Sequence, residues 1–200
     1  MLRHALLVAL IALPSAPSFA QNSAPGTYKD WNKVDAVEIV QSFKFADFAK
    51  VVVLPLETSG IKLPAESDNT YAPTKAMVEG SDAHFIDGLR KSIYDFRKDF
   101  TVEQGTAAPT DGAKVLLVRG KLLTLDPGSK AARAFAGFGA GAAKAKIEIE
   151  LVDASTGTVL ARMTHERRSG TGNFGGAYDK VMSQSLNEVG QTFGKGLKGF

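Results

Sequence analysis

The side chains that could do chemistry are few in this chain, and the clearest pair is two carboxylates. Glu148 and Glu150 lie two residues apart in a predicted strand, so they share one face of it, as the paired carboxylates of a glycosidase must share a cleft. Lys146 and Arg162 lie beside them, which is typical of an ordinary charged surface instead. We therefore predict no catalytic residue and no enzyme, and a hydrolase that uses Glu148, Glu150 or His84 is our third functional hypothesis.

The two histidines that follow the first twenty residues do not predict a metal site. His84 lies near Glu79, Asp82 and Asp87, but this spacing matches no zinc pattern, and a polar first turn of a helix accounts for all four residues. His165 lies near the end of a predicted strand, where we expect a partly exposed packing residue. The sequence therefore predicts no metal and no cofactor.

Three arginines are the candidate binding residues. Arg167 and Arg168 precede a glycine-rich turn at 169–176, and Arg133 lies in a segment rich in glycine and alanine. Guanidinium groups beside such turns could hold an anionic glycan or a phosphate. A solvated loop at the end of a strand is the alternative interpretation. A periplasmic binder of an anionic small ligand or glycan is our second functional hypothesis.

The compositional anomaly is the segment 127–143, which contains the ten uncharged residues AFAGFGAGAA. Its glycines are spaced G-x-G-x-G, and a strand follows where a nucleotide-binding helix would begin, so we predict no nucleotide site. We favour a helical turn whose small residues pack closely on a sheet. The other interpretation is an exposed apolar flap, in which Phe135 and Phe138 contact a protein partner or a membrane surface. Whether residues 134–143 are ordered stays open.

The first twenty residues predict export from the cytoplasm. Arg3 gives a basic start, Ala5–Leu13 is a short apolar core, and Ser18–Ala20 supplies the small residues of a cleavage site. The apolar core is about half as long as a membrane-spanning helix requires. We expect cleavage after Ala20 and a periplasmic or secreted mature chain. Because the chain has no cysteine, it has no lipobox for a lipid anchor, no disulfide and no thiolate metal ligand.

The charge balance argues against a nucleic-acid partner. Removal of Arg3 reduces the 24 Lys and Arg residues to 23, against 21 Asp and Glu residues, so the mature chain has a formal net charge of +2. This charge is small and dispersed, whereas nucleic-acid binding needs a concentrated basic patch.

The hydrophobic pattern predicts one α+β domain over residues 45–200, preceded by an ambiguous leader at 21–44. We expect a mixed, mostly antiparallel sheet of about five strands with two amphipathic helices packed on it. Residues 31–48 could be a short helix or part of an edge strand. We predict strands at 50–57, from 100, and at 115–125 with a bulge or bend at Gly120, and a hairpin at 146–167. The predicted helices lie at 81–96, capped by Ser81, and at 178–193. A loop is predicted at 59–73 and a flexible tail at 194–200.

The register of the predicted hairpin follows from its alternation. Its buried faces coincide only if paired residue numbers sum to an even value, because a slip of one residue turns a strand over. We predict the pairs Val152–Thr158, Ile149–Ala161, Glu148–Arg162 and Ile147–Met163.

Two stretches resemble a family of the bacterial cell envelope. GSKAARAFAGFGAG at 128–141 and LVDASTGTVL at 151–160 are similar to domain-of-unknown-function family 4410, and the KVVVLPLE strand and the two helices fit the same layout over residues 45–193. Many members are lipoproteins, so the resemblance implies an envelope location, although this chain lacks the lipobox cysteine. The family brings no catalytic residues. A more distant likeness is to the α/β domains of envelope assembly lipoproteins, which act as accessory subunits.

Taken with the predicted export, these observations favour a non-enzymatic accessory or adaptor protein of the bacterial cell envelope, with an envelope protein as its partner. This is our first functional hypothesis, ahead of the anion binder and the hydrolase. The sequence leaves the identity of the partner and the oligomeric state open.

Overall fold

The structure is a computed structural model that describes residues 23–108, 113–129, 141–169 and 177–200. Within these residues, seven strands and three α-helices follow one another along the chain, with a short 3₁₀ helix at Phe45–Asp47. The elements are β1 (Gly26–Trp31), β2 (Val34–Ile39), β3 (Lys50–Val53), α1 (Tyr71–Glu79), α2 (Ser81–Tyr94), β4 (Thr101–Gln104), β5 (Val115–Asp126), β6 (Ala143–Asp153), β7 (Val159–Ser169) and α3 (Tyr178–Leu197).

The strands form one sheet in the order β1-β2-β7-β6-β5-β3-β4. The pairings from β1 to β5 are antiparallel, and β3 pairs in parallel with both β5 and β4. The predicted mixed α+β class is confirmed, but the expected count of about five strands is too low for the described residues. The missing strands are β1 and β2, which turn at Asn32 and Lys33 with φ angles of 47° and 75°, as a two-residue hairpin loop requires.

The helices α2 and α3 cover one face of this sheet, called here the helix face, and the main hydrophobic core lies between the two layers. The strands alternate in the expected way, so that Ile147, Ile149 and Leu151 of β6 are buried on the helix face. The opposite, outer face carries mostly charged side chains and a smaller buried cluster of four residues. No helix within the described residues is long and apolar enough to cross a membrane.

The register of the β6–β7 hairpin differs by two residues from the predicted one. Ile149 lies opposite Met163, and Glu150 rather than Glu148 lies opposite Arg162. Because two residues are a full period of a strand, every side chain keeps its predicted face. The difference arises at an irregularity between Leu151 and Val152, where the ladder shifts as it enters the turn. Arg162 consequently bonds Glu150, with 3.1 Å between Nε and Oε1.

Two local predictions about β5 and α2 are wrong. The irregularity in β5 lies between Leu122 and Thr124, not at Gly120, which pairs regularly with Ile149. Ser81 does not cap α2: Gly80 holds the N-cap position, and the Ser81 hydroxyl donates to the carbonyl of Val78 at 2.8 Å. The hydroxyl thus satisfies a carbonyl at the end of α1 instead of an amide at the start of α2.

The predicted loop at 59–73 ends earlier than expected, because α1 begins at Tyr71. Pro73 lies in its first turn, where the missing N–H removes no helical hydrogen bond.

The tail at 194–200, predicted to be flexible, is instead packed. The helix α3 continues to Leu197, and the ring of Phe200 stacks on Phe43 with 4.5 Å between centroids. The amide of Phe45 donates to the Phe200 carbonyl at 3.0 Å, and the Trp31 indole donates to the Gly196 carbonyl at 3.1 Å. Aromatic stacking and these bonds hold the last turn of the chain against β1 and the 3₁₀ helix.

The helices α2 and α3 touch through their backbones at two glycines. A Cβ atom added at Gly88 would lie 1.9 Å from the Asn187 carbonyl oxygen, and one added at Gly190 would lie 2.1 Å from the Phe85 carbonyl oxygen. Side chains essentially never approach a backbone this closely, so glycine is required at both positions. Phe85 of α2 and Phe193 of α3 also pack edge to face, with 6.0 Å between centroids.

We expect Gly190→Ala to destabilise the protein by about 2 kcal/mol, since the new methyl group must force two rigid backbones apart. This loss exceeds the gain of about 1 kcal/mol in helix propensity that alanine brings. Urea unfolding of the mature chain measures the difference. Gly60→Ala is the matched control, because no atom lies within 4 Å of the added Cβ. Equal stability of Gly190→Ala and wild type would contradict the backbone contact.

The turn between β6 and β7 predicts a pH dependence. The Ser155 hydroxyl and amide donate to Asp153 at 2.6 Å and 2.9 Å, and the hydroxyl is the main cause that lowers the pKa of this carboxyl below its ordinary value. A lowered folded pKa stabilises the protein above the unfolded value of about 3.9, and this stabilisation is lost as the pH falls through the folded pKa. We expect Asp153→Asn to be less stable than wild type at pH 7, with a difference that shrinks as the pH falls below the ordinary pKa of the carboxyl group. In Ser155→Ala, an NMR titration should find the Asp153 pKa closer to its ordinary value; an unchanged pKa would contradict this account.

Candidate functional site

The arginines predicted to bind an anion do not form one site. Strand alternation places Arg167 on the helix face, where its guanidinium pairs with Glu188 of α3. Arg168 lies on the outer face, where its Nε pairs with Glu166 Oε1 at 2.7 Å. Arg133 and the two phenylalanines of the glycine- and alanine-rich segment, Phe135 and Phe138, lie outside the described residues. The binding and contact roles of all five residues stay predictions.

The side chains considered for a hydrolase lie on opposite sides of the sheet. Glu148 and Glu150 share the outer face as predicted, and Glu150 bonds Arg162 there. His84 lies on α2, in the layer that covers the helix face. These three side chains therefore do not line one cleft.

The acidic residues around His84 each engage another group. Asp82 accepts a hydrogen bond from the amide of Leu56 at 2.8 Å, Asp87 pairs with Arg90 at 2.8 Å, and Glu79 pairs with Lys75. Across the described ranges, no group of three or more histidine, aspartate or glutamate side chains could hold a metal ion.

His165 is buried, whereas we expected a partly exposed residue. Only 8% of its surface is accessible, because its ring lies against Phe193 of α3 with 6.3 Å between centroids. Its Nδ1 lies 3.1 Å from Oδ1 of Asp35, at an angle that does not align a hydrogen bond. The other oxygen of Asp35 accepts a hydrogen bond from the Glu166 amide at 2.8 Å. Asp35 thus connects β2 to β7 at the edge of the core.

An open cleft lies where β5 runs on beyond β3, and we call it the β5 cleft. Its walls are residues 60–64 on one side and residues 123–127 on the other, and its volume is about 440 Å³. A smaller depression of about 170 Å³ lies between the same loop and α1. Ile61 and Leu63 line both, so the loop forms a ridge of apolar side chains between them. The volume of the β5 cleft falls within the range of ligand sites.

The β5 cleft begins where the two chain segments stop bonding each other. The amide of Glu57 donates to the Gly120 carbonyl at 2.8 Å, and the amide of Leu122 donates to the Glu57 carbonyl at 2.9 Å. Beyond these bonds the loop leaves β5. Gly120 and Leu56 fix this point, because a Cβ at Gly120 would lie 2.2 Å from the Leu56 side chain. Leu56 is in turn fixed to α2 through its amide, which donates to Asp82.

The lining of the β5 cleft is mostly apolar, with two charged groups. Leu63 is 37% exposed, which is unusual for a leucine in the described residues, and Leu125 is buried in the floor. One oxygen of Asp126 accepts a hydrogen bond from the Gly128 amide at 2.7 Å. Lys62 lies on the loop wall and forms no ion pair with any residue that the structure describes. No sequence pattern predicted this site, and the one local signal is Ile61 and Leu63 within a loop otherwise rich in turn-forming residues.

A family model matches more than half of the chain. The model for the domain of unknown function DUF4410 matches residues 56–173, which include the β5 cleft and the β6–β7 hairpin. The resemblance to this family is thereby confirmed. No curated protein matches the chain at a significant level.

Solved structures show a distant likeness to the chain. The PelC dodecamer from Paraburkholderia phytofirmans is 15% identical, and the match covers 78% of this chain and 96% of that chain with a TM-score of 0.47. Protein XCC0632 from Xanthomonas campestris is 13% identical, with coverages of 77% and 88% and a TM-score of 0.39. A homologue of neuraminyllactose-binding hemagglutinin from Helicobacter pylori is 12% identical, with coverages of 76% and 84% and a TM-score of 0.31. At these scores the likenesses carry no inference about function.

The contact between Gly120 and Leu56 predicts that the effects of substitutions at these two positions on stability are coupled. A substitution at Gly120 should also disturb the residues that line the β5 cleft. We expect Gly120→Ala to cost about 1 kcal/mol, since the Leu56 side chain must move out of a packed position. The NMR signals of the Ile61 and Leu63 methyl groups should shift with it. In a Leu56→Ala background the same substitution should cost little, because the clash is gone. Urea unfolding of the four variants measures the coupling, and an equal cost in both backgrounds would contradict it.

Proposed function

We propose that this chain, which belongs to the DUF4410 family, is an exported accessory or adaptor protein of the bacterial cell envelope that acts by contact with a protein partner. The first twenty residues support export, since a basic start, a short apolar core and small residues before Gln21 are the features of a cleaved signal peptide. A periplasmic or secreted mature chain is part of the same proposal. The family match itself carries no activity.

The β5 cleft is the single observation that carries the adaptor role. Apolar side chains exposed around a concave surface favour contact with another molecule, because burying them there removes apolar area from water. Leu63 is exposed on the loop wall, and Ile61 and Pro64 continue the apolar surface beside it. Phe135 and Phe138 stay proposed contact residues, on the segment that follows the cleft residue Pro127.

One observation favours the second candidate function, a binder of an anionic small ligand or glycan. On the outer face, Lys144 of β6 lies directly opposite Arg168 of β7, and Lys146 follows two residues on. Like charges directly opposite in a sheet repel each other, and an anion would relieve that repulsion. Glu166, which pairs with Arg168, and Asp126, opposite Lys144 on β5, offset part of this charge. The adaptor role therefore remains the first candidate.

The test of the adaptor role is crosslinking in intact cells with a lysine-reactive reagent, followed by capture of the tagged chain and mass spectrometry. We expect a mature chain that begins at Gln21, found outside the cytoplasm, with the same envelope protein enriched in each replicate. A chain expressed without its first twenty residues is the control, and it should lose that partner.

Two results would overturn the adaptor role. One is a chain retained in the cytoplasm. The other is an exported chain without a reproducible protein partner that anionic glycans stabilise against heat; loss of this stabilisation in the Arg167→Gln, Arg168→Gln double variant would establish the second candidate.

A further inference from the structure

The backbone of β5 has a defined direction up to the β5 cleft. The amide of Leu54 donates to the Val118 carbonyl at 2.9 Å, and the bonds of Gly120 and Leu122 with Glu57 lie on the same side of the strand. Every second residue therefore directs its N–H and C=O toward β3, and the residues between them bond β6.

The irregularity between Leu122 and Thr124 reverses this alternation. After it, Thr124 and Asp126 pair with Lys146 and Lys144 of β6. Lys121 of β5 bonds β6 and pairs with Glu148, so the backbone of Glu148 faces β5. Every second residue of β6 faces the same way, and the backbones of Lys146 and Lys144 therefore also face β5. Leu125, which lies between Thr124 and Asp126, must then direct its N–H and C=O away from β6 and into the β5 cleft.

The backbone of Leu125 thus forms an open edge inside the sheet. No backbone hydrogen bond joins it to the loop wall at 60–64, or to any other described residue on that side. Unpaired N–H and C=O groups on a strand edge bind an additional extended chain, since only an extended backbone matches their direction and spacing. An extended peptide, whose own N–H and C=O groups lie at matching positions, is therefore the occupant that this edge favours.

The side walls define the side chains of such a peptide. Ile61, Leu63 and Pro64 on the loop offer aliphatic surface to one edge of the occupant. The two charged groups lie on opposite walls: the Lys62 ammonium is on the loop, and the Asp126 carboxylate, which accepts a hydrogen bond from the Gly128 amide, is on β5. On the loop wall, where Lys62 lies between Ile61 and Leu63, charge complementarity favours an acidic side chain of the occupant. A glycan fits less well, because the walls contain no aromatic ring for a sugar to stack on.

We propose that the β5 cleft binds an extended segment of a protein partner as an added strand on the open edge at Leu125, with apolar side chains against Ile61 and Leu63 and an acidic side chain at Lys62. This mode is strand addition, in which backbone bonds give affinity and the pockets for alternate side chains give specificity. The inference rests on the proposed function, which supplies a protein partner.

The probe is a set of peptides selected from a displayed library of random 12-residue sequences on the immobilised mature chain. We expect the selected sequences to alternate apolar residues and to contain an acidic one. Methylation of single peptide nitrogens should weaken binding strongly at one position only, because Leu125 offers a single carbonyl and one peptide amide donates to it. Hydrogen exchange measured by NMR should slow at the Leu125 amide when the peptide binds.

The charge is tested by a swap. Lys62→Glu should weaken the peptide about threefold to fivefold, as expected for an exposed ion pair. Replacing the acidic residue of the peptide by lysine should restore the loss. Lys180→Glu, on the exposed first turn of α3, is the matched control and should leave binding unchanged.

The outcomes separate this inference from the proposed function. No selected peptide, equal sensitivity to methylation at all positions, protection of amides elsewhere than Leu125, or binding of glycans alone in the cleft would each overturn the strand addition. If the partner captured in cells binds Lys62→Glu and Leu63→Asp chains as well as wild type, the inference fails and the adaptor role stands. If peptides bind as expected but no partner is captured, the adaptor role fails and the peptide site stands.

Discussion

The backbone contact between α2 and α3 at Gly88 and Gly190 is the constraint on which the rest of the structure depends. Because both positions lack a side chain, the backbones of α2 and α3 touch there, and the two helices cover the helix face as one layer. The position of α2 then fixes Asp82, and Asp82 holds the amide of Leu56. Leu56 lies over Gly120, where the loop wall of the β5 cleft begins. A contact within the helical layer thus determines a surface feature at the far end of β5.

The second constraint is the irregularity in β5. A strand that alternates without interruption would direct the Leu125 backbone toward β6 and leave that of Thr124 at the cleft. The shift after Leu122 reverses the two, and it also lets β5 bond β6 along its whole length while the loop separates on the other side. Bulges commonly reorient a strand next to functional surfaces. Here the loop opens the edge by leaving β5, and the bulge determines that Leu125 rather than Thr124 faces it.

Sequence reasoning succeeded where one period decides the outcome. The alternation of Ile147, Ile149 and Leu151 fixed the buried face of β6, and the helical spacing of Phe85 and Leu89 placed α2. It failed where the outcome depends on strand register or on residues far apart in the chain. Alternation cannot distinguish registers that differ by two residues, and the predicted partner of Arg162 was Glu148, whereas the structure has Glu150 there. Phe200 needed knowledge of Phe43, which lies more than 150 residues away. The β1–β2 hairpin had a local signal in its asparagine turn, and the β5 cleft had none stronger than two apolar loop residues, because it forms between segments about sixty residues apart.

The distribution of charge on the outer face explains why recognition is expected at the cleft. Across four neighbouring strands, Arg119, Glu150, Arg162 and Glu38 lie side by side with alternating sign. Glu38 and Glu150 bond the Arg162 guanidinium and raise its pKa, so these charges are paired with one another within the row. Alternating charges at short spacing cancel within about a Debye length and attract neither sign of ligand from a distance. An exposed apolar wall and an unpaired backbone are not cancelled in this way, since only another molecule can remove Leu63 from water or bond Leu125. An exposed apolar wall beside an unpaired backbone therefore makes the β5 cleft a favoured place for a partner on the described surface.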